Sequence, residues 1–263
     1  MSLTFHHKPS LVAYITCGDP DLATTREIIL AAIRAGADII ELGVPFSDPV
    51  ADGPVIQRAS ERALKHNTSL DQVLDLARDI RHQESKGGLL IFSYLNPLVR
   101  MGLKKFAAKA EAAGIDGVLA TDLPVEEATD YLAIMRHHHL DTVFLAAPTS
   151  PDERLQSICD ASRGFVYAVS RTGVTGTRDA LAADASGLVR RIKQFTQLPV
   201  AVGFGISNAQ QFAEVTSFAD AAVVGSGIVQ VIENSGPNAP QAVYDFISGL
   251  LAGSRQSARS TTK

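Results

Sequence analysis

Glu41 ends the apolar run ADIIE, at a place where a buried strand ordinarily carries Val or Leu. Side chains alternate faces along a strand, so Glu41 shares its direction with Ile39 and Gly43, while Ile40, Leu42 and Val44 point the other way. The bulkier set suits packing against helices, which aims Glu41 into the space that the strands enclose. A carboxyl buried there without a cation acquires a raised pKa and suits proton transfer near neutral pH. A carboxyl paired with arginine or backbone N–H groups is only a structural acid, and the residues alone leave both roles open. Two more acids follow in the loop PFSDPVADGP. Asp48, before Pro49, suits an Asx-turn. Asp52, before Gly53-Pro54, either complements the positive end of the next helix or carries chemistry. Asp122, ending VLATD, is a strand-end acid whose structural role would be to hydrogen-bond loop backbone.

Two glycine-rich turns offer a place for an anion. GFGISNAQQ and GSGIVQVIE each bring backbone N–H groups to the start of a helix, where the dipole favours negative charge. Gly205, Gly225 and Ser226 are the candidate donors. Glycine turns also serve close packing, so it is the pair, after the seventh and eighth β-rich runs, that points to phosphate. A long loop, SRTGVTGTRDALAAD, has the length of a lid, with Gly173 and Gly176 flexible and Gly176 a further backbone donor.

Eight short β-rich runs must position these residues: LVAYIT, DIIELGV, GLLIFSY, GVLATDL, DTVFLAA, GFVYAVS, LPVAVGFG and AAVVGSG. Segments of helical period separate them, for example TTREIILAAIRAGA and GLKKFAAKAEAAG, as in βαβ units around a parallel sheet. Ser150 to Glu153 and Ser207 to Gln210 have the spacing of helix-start caps, and Gly36 and Gly114 sit where helices end. The first turn, CGDPDLATT, lacks the glycine pattern of a dinucleotide fold, which disfavours an open doubly wound sheet. The expectation is an α/β chain forming a single-domain (β/α)8 TIM barrel over residues 1–252. The polar stretch 253–263 is expected to be a frayed tail.

Composition narrows the partners. A formal charge of −4, from 24 Lys+Arg against 28 Asp+Glu, gives no basic excess for a nucleic acid backbone. Cys17 and Cys159 are too few and too far apart for a disulfide framework or a metal knuckle. No window approaches the roughly 18 consecutive apolar residues of a membrane span, and the N-terminal MSLTFHHKPS has no apolar signal core, so a cytoplasmic setting is expected. The histidines of RHHHLD are read as favourable cations at a helix end, and no metal site is expected.

Taken together and in order, ELGVPFSDPVADGPVIQRA, SYLNPL, TDLPVEE, APTSP, SRTGVTG, LPVAVGFGIS and VVGSGIV resemble the tryptophan synthase alpha subunit, from Leu11 to about Gly249. The resemblance implies a barrel that cleaves indole-3-glycerol phosphate to indole and glyceraldehyde 3-phosphate. It implies Glu41 and Asp52 as catalytic acids with Tyr167 beside them, and Gly176, Gly205, Gly225 and Ser226 as phosphate binders. It places Tyr14, Phe92, Leu119, Thr175 and Phe204 around the substrate. It also implies a beta-subunit partner in an alpha2beta2 complex, meeting the loops of Asp48, Asn96-Pro97 and Pro124. Pyridoxal phosphate belongs to that partner, and no cofactor is expected in this chain. The first strand begins by about Leu11, so the extra N-terminal helix that usually covers the barrel bottom is expected to be short or missing. The same acids would also serve a stand-alone lyase that releases free indole. A regulatory binding subunit is disfavoured by the retention of both acids.

Overall fold

The computed structural model describes residues 3–84, 86–169, 178–203 and 205–260, with side chains of 178–183 and 255–260 excepted. Strands and helices alternate: β1 (Ser10–Thr16), α1 (Leu22–Ala35), β2 (Ile39–Gly43), α2 (Pro54–Lys65), α3 (Leu70–Gln83), β3 (Gly88–Ser93), α4 (Leu95–Met101), α5 (Leu103–Ala112) and β4 (Gly117–Ala120). There follow α6 (Thr129–His137), β5 (Asp141–Thr142), β6 (Leu145–Ala146), α7 (Asp152–Ala161), β7 (Val166–Val169) and α8 (Arg178–Ile192). The chain then forms β8 (Val200–Gly203), α9 (Ala209–Thr216), β9 (Ala221–Val224), α10 (Ser226–Ser235) and α11 (Ala239–Ser260).

All strand pairs are parallel, in the order β5-β4-β3-β2-β1-β9-β8-β7-β6. The two ends of that order, β5 and β6, are halves of one run, DTVFLA, so the sheet closes on itself. Val143 N–H donates to the Val118 carbonyl at 3.1 Å, and Tyr167 N–H donates to Phe144 at 3.1 Å, which carries the pairing across the break. The eight runs read from sequence are thus the eight staves of a barrel, the fifth interrupted at Val143-Phe144.

Strand alternation divides the core in two. Ile40, Leu42, Leu89, Ile91 and Val118 face outward and pack with helix residues such as Ile28 and Phe106. Val12, Ile39, Leu90, Leu119, Phe165 and Val223 fill the barrel interior. Two acids just ahead of strands are structural. Asp38 accepts from the backbone N–H groups of His6 (2.8 Å), His7 (3.1 Å) and Leu11 (3.2 Å), and Asp116 accepts from Leu89 N–H at 2.8 Å and pairs with Arg81.

The barrel floor is closed by Leu3, only 3% exposed, with Phe5 packed on Phe165 at a centroid separation of 5.6 Å. Three glycines make the socket: a Cβ at Gly88, Gly117 or Gly164 would stand 3.0, 2.7 or 2.9 Å from Leu3. Leu3 N–H donates to Asp141 at 2.8 Å. Leu3→Ala should therefore lower unfolding stability by about 2–5 kcal/mol, the range for emptying a buried leucine site. Chemical denaturation checks this, and an unchanged midpoint would mean that the socket does not depend on the side chain.

Some expected boundaries move. The start of α7 is capped by Pro151, not Ser150, whose hydroxyl instead accepts from Ala147 N–H within the preceding turn. The cap of α9 is Asn208, whose side chain accepts from Gln211 N–H at 3.0 Å, one residue later than the Ser207–Gln210 spacing predicts. In both cases a neighbouring residue already holds the extended backbone that a cap requires. Gly36 caps α1 in the left-handed region, as expected. His139 also takes a positive φ of 54°, directly after the cap of α6. The backbone of α11 stays helical past residue 252 to Ser260, and Ser254 is still buried. Both cysteines are buried and free. Among the described residues no helix is long and apolar enough to cross a membrane, and no cluster of His, Cys, Asp and Glu could hold a metal ion.

Candidate active site

By its environment Glu41 stands apart from Asp38 and Asp116. It is 1% exposed, and neither carboxyl oxygen has a hydrogen-bond partner among the described residues. Its neighbours across the sheet are Tyr14 on β1 and Leu90 on β3, and its strand mate Ile39 belongs to the interior core. Burial raises its pKa from about 4.5 to about 8, so Glu41 is a neutral acid at pH 7.

Asp52 reaches the same end of the barrel from the loop after β2. The loop is fixed at three points. Asp52 N–H donates to Pro49 at 3.2 Å, Ala51 N–H donates to the Tyr94 hydroxyl at 2.9 Å, and Gln57 donates to the Asp52 carbonyl at 2.8 Å. The Tyr94 hydroxyl also stands near enough to the Asp52 carboxyl to favour its charged form. Burial raises the Asp52 pKa to about 6, and the nearby Tyr94 hydroxyl holds it from rising further. The carboxylate form therefore predominates at pH 7. Two barrel acids thus rest in opposite protonation states.

Aromatic side chains wall the space between them. Tyr14 and Phe92 meet edge to face, centroids 5.1 Å apart. The Tyr14 ring takes the room where a Cβ on Gly43 would be, and Tyr167 lies over Gly203 in the same way. A side chain at either glycine would displace an aromatic. Leu119 is buried in the interior core beside Phe92 in register. Burial pushes the Tyr14 and Tyr167 phenols well above their usual range, with the nearby Glu41 adding to both, so each stays protonated.

The two glycine-rich turns meet over this space. Gly225 caps α10, Ser226 begins it, and a Cβ on Gly225 would be 3.5 Å from Tyr14. Gly205 has a φ of +62°, and a Cβ at Gly227 would lie 2.5 Å from the Ile206 carbonyl oxygen, so the loop after β8 packs directly on the first turn of α10. Thr175, Gly176 and Phe204, along with Gly173, lie outside the described residues. Asp122 takes the structural role: it accepts from Leu95 N–H at 2.6 Å. Asp48 is exposed on the rim and bonded by the Ser47 hydroxyl at 2.5 Å.

The profile of the family described as "Tryptophan synthase alpha chain" matches residues 2–252. The chain belongs to the tryptophan synthase alpha chain family. Among curated relatives of that name, the one from Solibacter usitatus is 54% identical, over 89% of this chain and 87% of its own length. That from Geobacter sulfurreducens is 47% identical over 94% of both. The solved tryptophan synthase subunit alpha of Legionella pneumophila superposes with a TM-score of 0.87 at 35% identity, covering 94% of this chain and 93% of the other. A chain of the tryptophan synthase complex from Pyrococcus furiosus gives 0.85 at 39% identity, covering 93% and 98%.

Set on this family's barrel, Glu41, Asp52, Tyr14, Phe92, Leu119, Tyr167, Gly205, Gly225 and Ser226 are carried by one end of the strands and the loops that leave it. Sequence reasoning missed Tyr94, Gly43 and Gly227. Tyr94 sits inside the motif SYLNPL, but its bond to Ala51 joins segments 43 positions apart and leaves no local signal. Gly43 and Gly227 carry no pattern beyond being glycine. Their role is in what they leave room for.

Proposed function

We propose that Glu41 and Asp52 carry out the alpha reaction of tryptophan biosynthesis, the retro-aldol cleavage of indole-3-glycerol phosphate to indole and glyceraldehyde 3-phosphate. Indole leaves easily only after its C3 carbon is protonated. Glu41, neutral at pH 7, donates that proton. Asp52, ionised, accepts the hydrogen bond of the ring N1–H and stabilises the positive charge that develops there, an effect largest in the transition state. The bond from C3 to the glycerol chain then breaks, its electrons returning to the ring, while the 3′-hydroxyl loses its proton to Glu41 and becomes the aldehyde. Glu41 ends the cycle protonated again. The first turn of α10, with Gly225, Ser226 and Gly205, holds the phosphate, and Tyr14, Phe92, Leu119 and Tyr167 enclose the ring.

The observation that carries this reading is the Glu41 carboxyl, fully buried among interior side chains with both oxygens unpartnered among the described residues. A structural acid would be paired, as Asp38 and Asp116 are. The pH profile of kcat/KM for cleavage tests it. With Asp52 needed as carboxylate and Glu41 as acid, the profile should be a bell that falls below about pH 6 and above about pH 8. A profile flat from pH 5 to 9 would remove these two groups from the reaction.

The partner in this reading is the tryptophan synthase beta subunit, in an alpha2beta2 complex with pyridoxal phosphate on the beta side. No step of the cleavage is routed through a cofactor of this chain. Val50 is 88% exposed and Val99 53%, next to Asp48 and to Asn96-Pro97 on the same rim, which supplies apolar surface for a partner. The reading places the chain in the cytoplasm, with neither nucleic acid nor membrane as a partner.

A further inference from the structure

We infer that Arg62 and Glu233 are positioning residues that fix the span between Asp52 and the phosphate loop, so that a substrate must match both ends at once. The inference rests on the reading of Asp52 and the first turn of α10 given above.

Four charged side chains form one chain of contacts behind the site. Asp19, in the loop after β1, is 1% exposed and takes a two-pronged contact from Arg62, Nε at 2.7 Å and Nη2 at 2.8 Å. The remaining Arg62 nitrogen, Nη1, donates to Glu233 at 2.7 Å. Arg58, one helical turn before Arg62, grips Glu233 with Nε at 2.9 Å and Nη2 at 2.7 Å, and Gln230 adds a bond at 3.0 Å. Arg58 holds the Glu233 carboxyl down to about pKa 2, so the contacts stay charged throughout the working range.

The placement of these residues gives the network its consequence. Arg58 and Arg62 lie on α2, which starts two residues after Asp52, whereas Glu233 lies on α10, which starts at the phosphate donors. Beneath the ions, Tyr14, Ala59 and Val229 form a small apolar cluster joining β1, α2 and α10. Apolar contact sets how close two helices lie but leaves sliding along them cheap. Forked guanidinium–carboxylate contacts are directional and resist that sliding. The Arg58–Glu233 pair is exposed and adds little stability, so its linkage through Arg62 to the buried Asp19 is better accounted for by geometry. A slip of about 1 Å in the relative position of two binding groups is enough to cost on the order of a hundredfold in rate.

The test uses the full chain with Glu233→Gln and, separately, Arg62→Lys. Glu233 lies near the surface, so its near-isosteric change leaves the fold intact, while Lys at 62 cannot grip Asp19 and Glu233 together. Four quantities are measured: kcat/KM for indole-3-glycerol phosphate, and the Kd values of inorganic phosphate, of indole, and of an unreactive indole joined by a three-carbon chain to phosphate. Expected are a fall in kcat/KM of about ten- to a hundredfold and a weakening of the joined ligand by about tenfold, with both separate fragments bound within about twofold of the native values. A lowered Tm with all four quantities unchanged would reduce the network to a stabilising role and overturn the inference. Equal weakening of free phosphate and joined ligand would also overturn it, because the network would then be shaping the phosphate loop itself. A native chain that neither cleaves substrate nor binds phosphate would instead sink the functional reading, and this inference with it.

Discussion

Glu41→Gln is expected to lower kcat for cleavage of indole-3-glycerol phosphate by more than about 10²-fold, the lower end for loss of a general acid–base group. Glutamine keeps the shape of the side chain but can neither give its proton to C3 nor take one from the 3′-hydroxyl. Both halves of the reaction are lost together, so KM should move little while kcat collapses. A second readout separates chemistry from packing. The Glu41 carboxyl titrates near 4.5 when unfolded and near 8 when folded. Above pH 4.5 the unfolded chain releases this proton while the folded chain keeps it, so burial of Glu41 erodes stability as pH rises, by up to about 1.4 kcal/mol per pH unit until about pH 8. The Gln variant lacks that term. Its stability relative to the native chain should therefore climb between pH 4.5 and 8 and level off beyond. Parallel stability curves with wild-type turnover would make Glu41 a structural acid.

Asp52→Asn should abolish most turnover while substrate still binds. In the proposed reaction the carboxylate meets a ring N1–H that is present before and after cleavage, but the positive charge on that ring exists only once C3 is protonated. An amide oxygen can accept the hydrogen bond, which preserves affinity, yet it offers no charge to stabilise the intermediate. On the scale of lost preorganised electrostatic contacts the expected drop in kcat is about 10²–10³-fold. Tyr94 and Ala51 hold the loop in either case, so the variant should keep the native fold. Near-normal kcat in Asp52→Asn would take Asp52 out of the mechanism.

Much of this was legible in the sequence because it rests on local pattern. A glutamate in an apolar strand, read with two-residue alternation, already points inward. The interior core holding Ile39 and the outer core holding Ile40, Leu42 and Val44 agree with that reading. Glycine pairs at two helix starts stood out for the same reason. What was not legible depends on segments far apart in the chain. The isolation of the Glu41 carboxyl, in contrast with the triple backbone grip on Asp38, is a property of the closed barrel and not of ADIIELGV. Leu3 fits a socket formed by glycines 88, 117 and 164, none of which marks itself as a partner of the N-terminus. The fifth run gave no hint that its pairing passes from strands to single bonds at Val143-Phe144. Caps slipped by one residue at α7 and α9, since neighbouring polar residues and prolines compete for the same turn.

The most direct measurement is a crystal structure of the chain with the unreactive indole joined by three carbons to phosphate. The account predicts the phosphate on the backbone N–H groups of Gly225 and Ser226, with ring N1 at hydrogen-bond distance from Asp52, about 2.7–3.2 Å, and Glu41 within about 3.5 Å of C3. A ring lying outside the reach of either carboxyl, or a phosphate bound away from the start of α10, would contradict it.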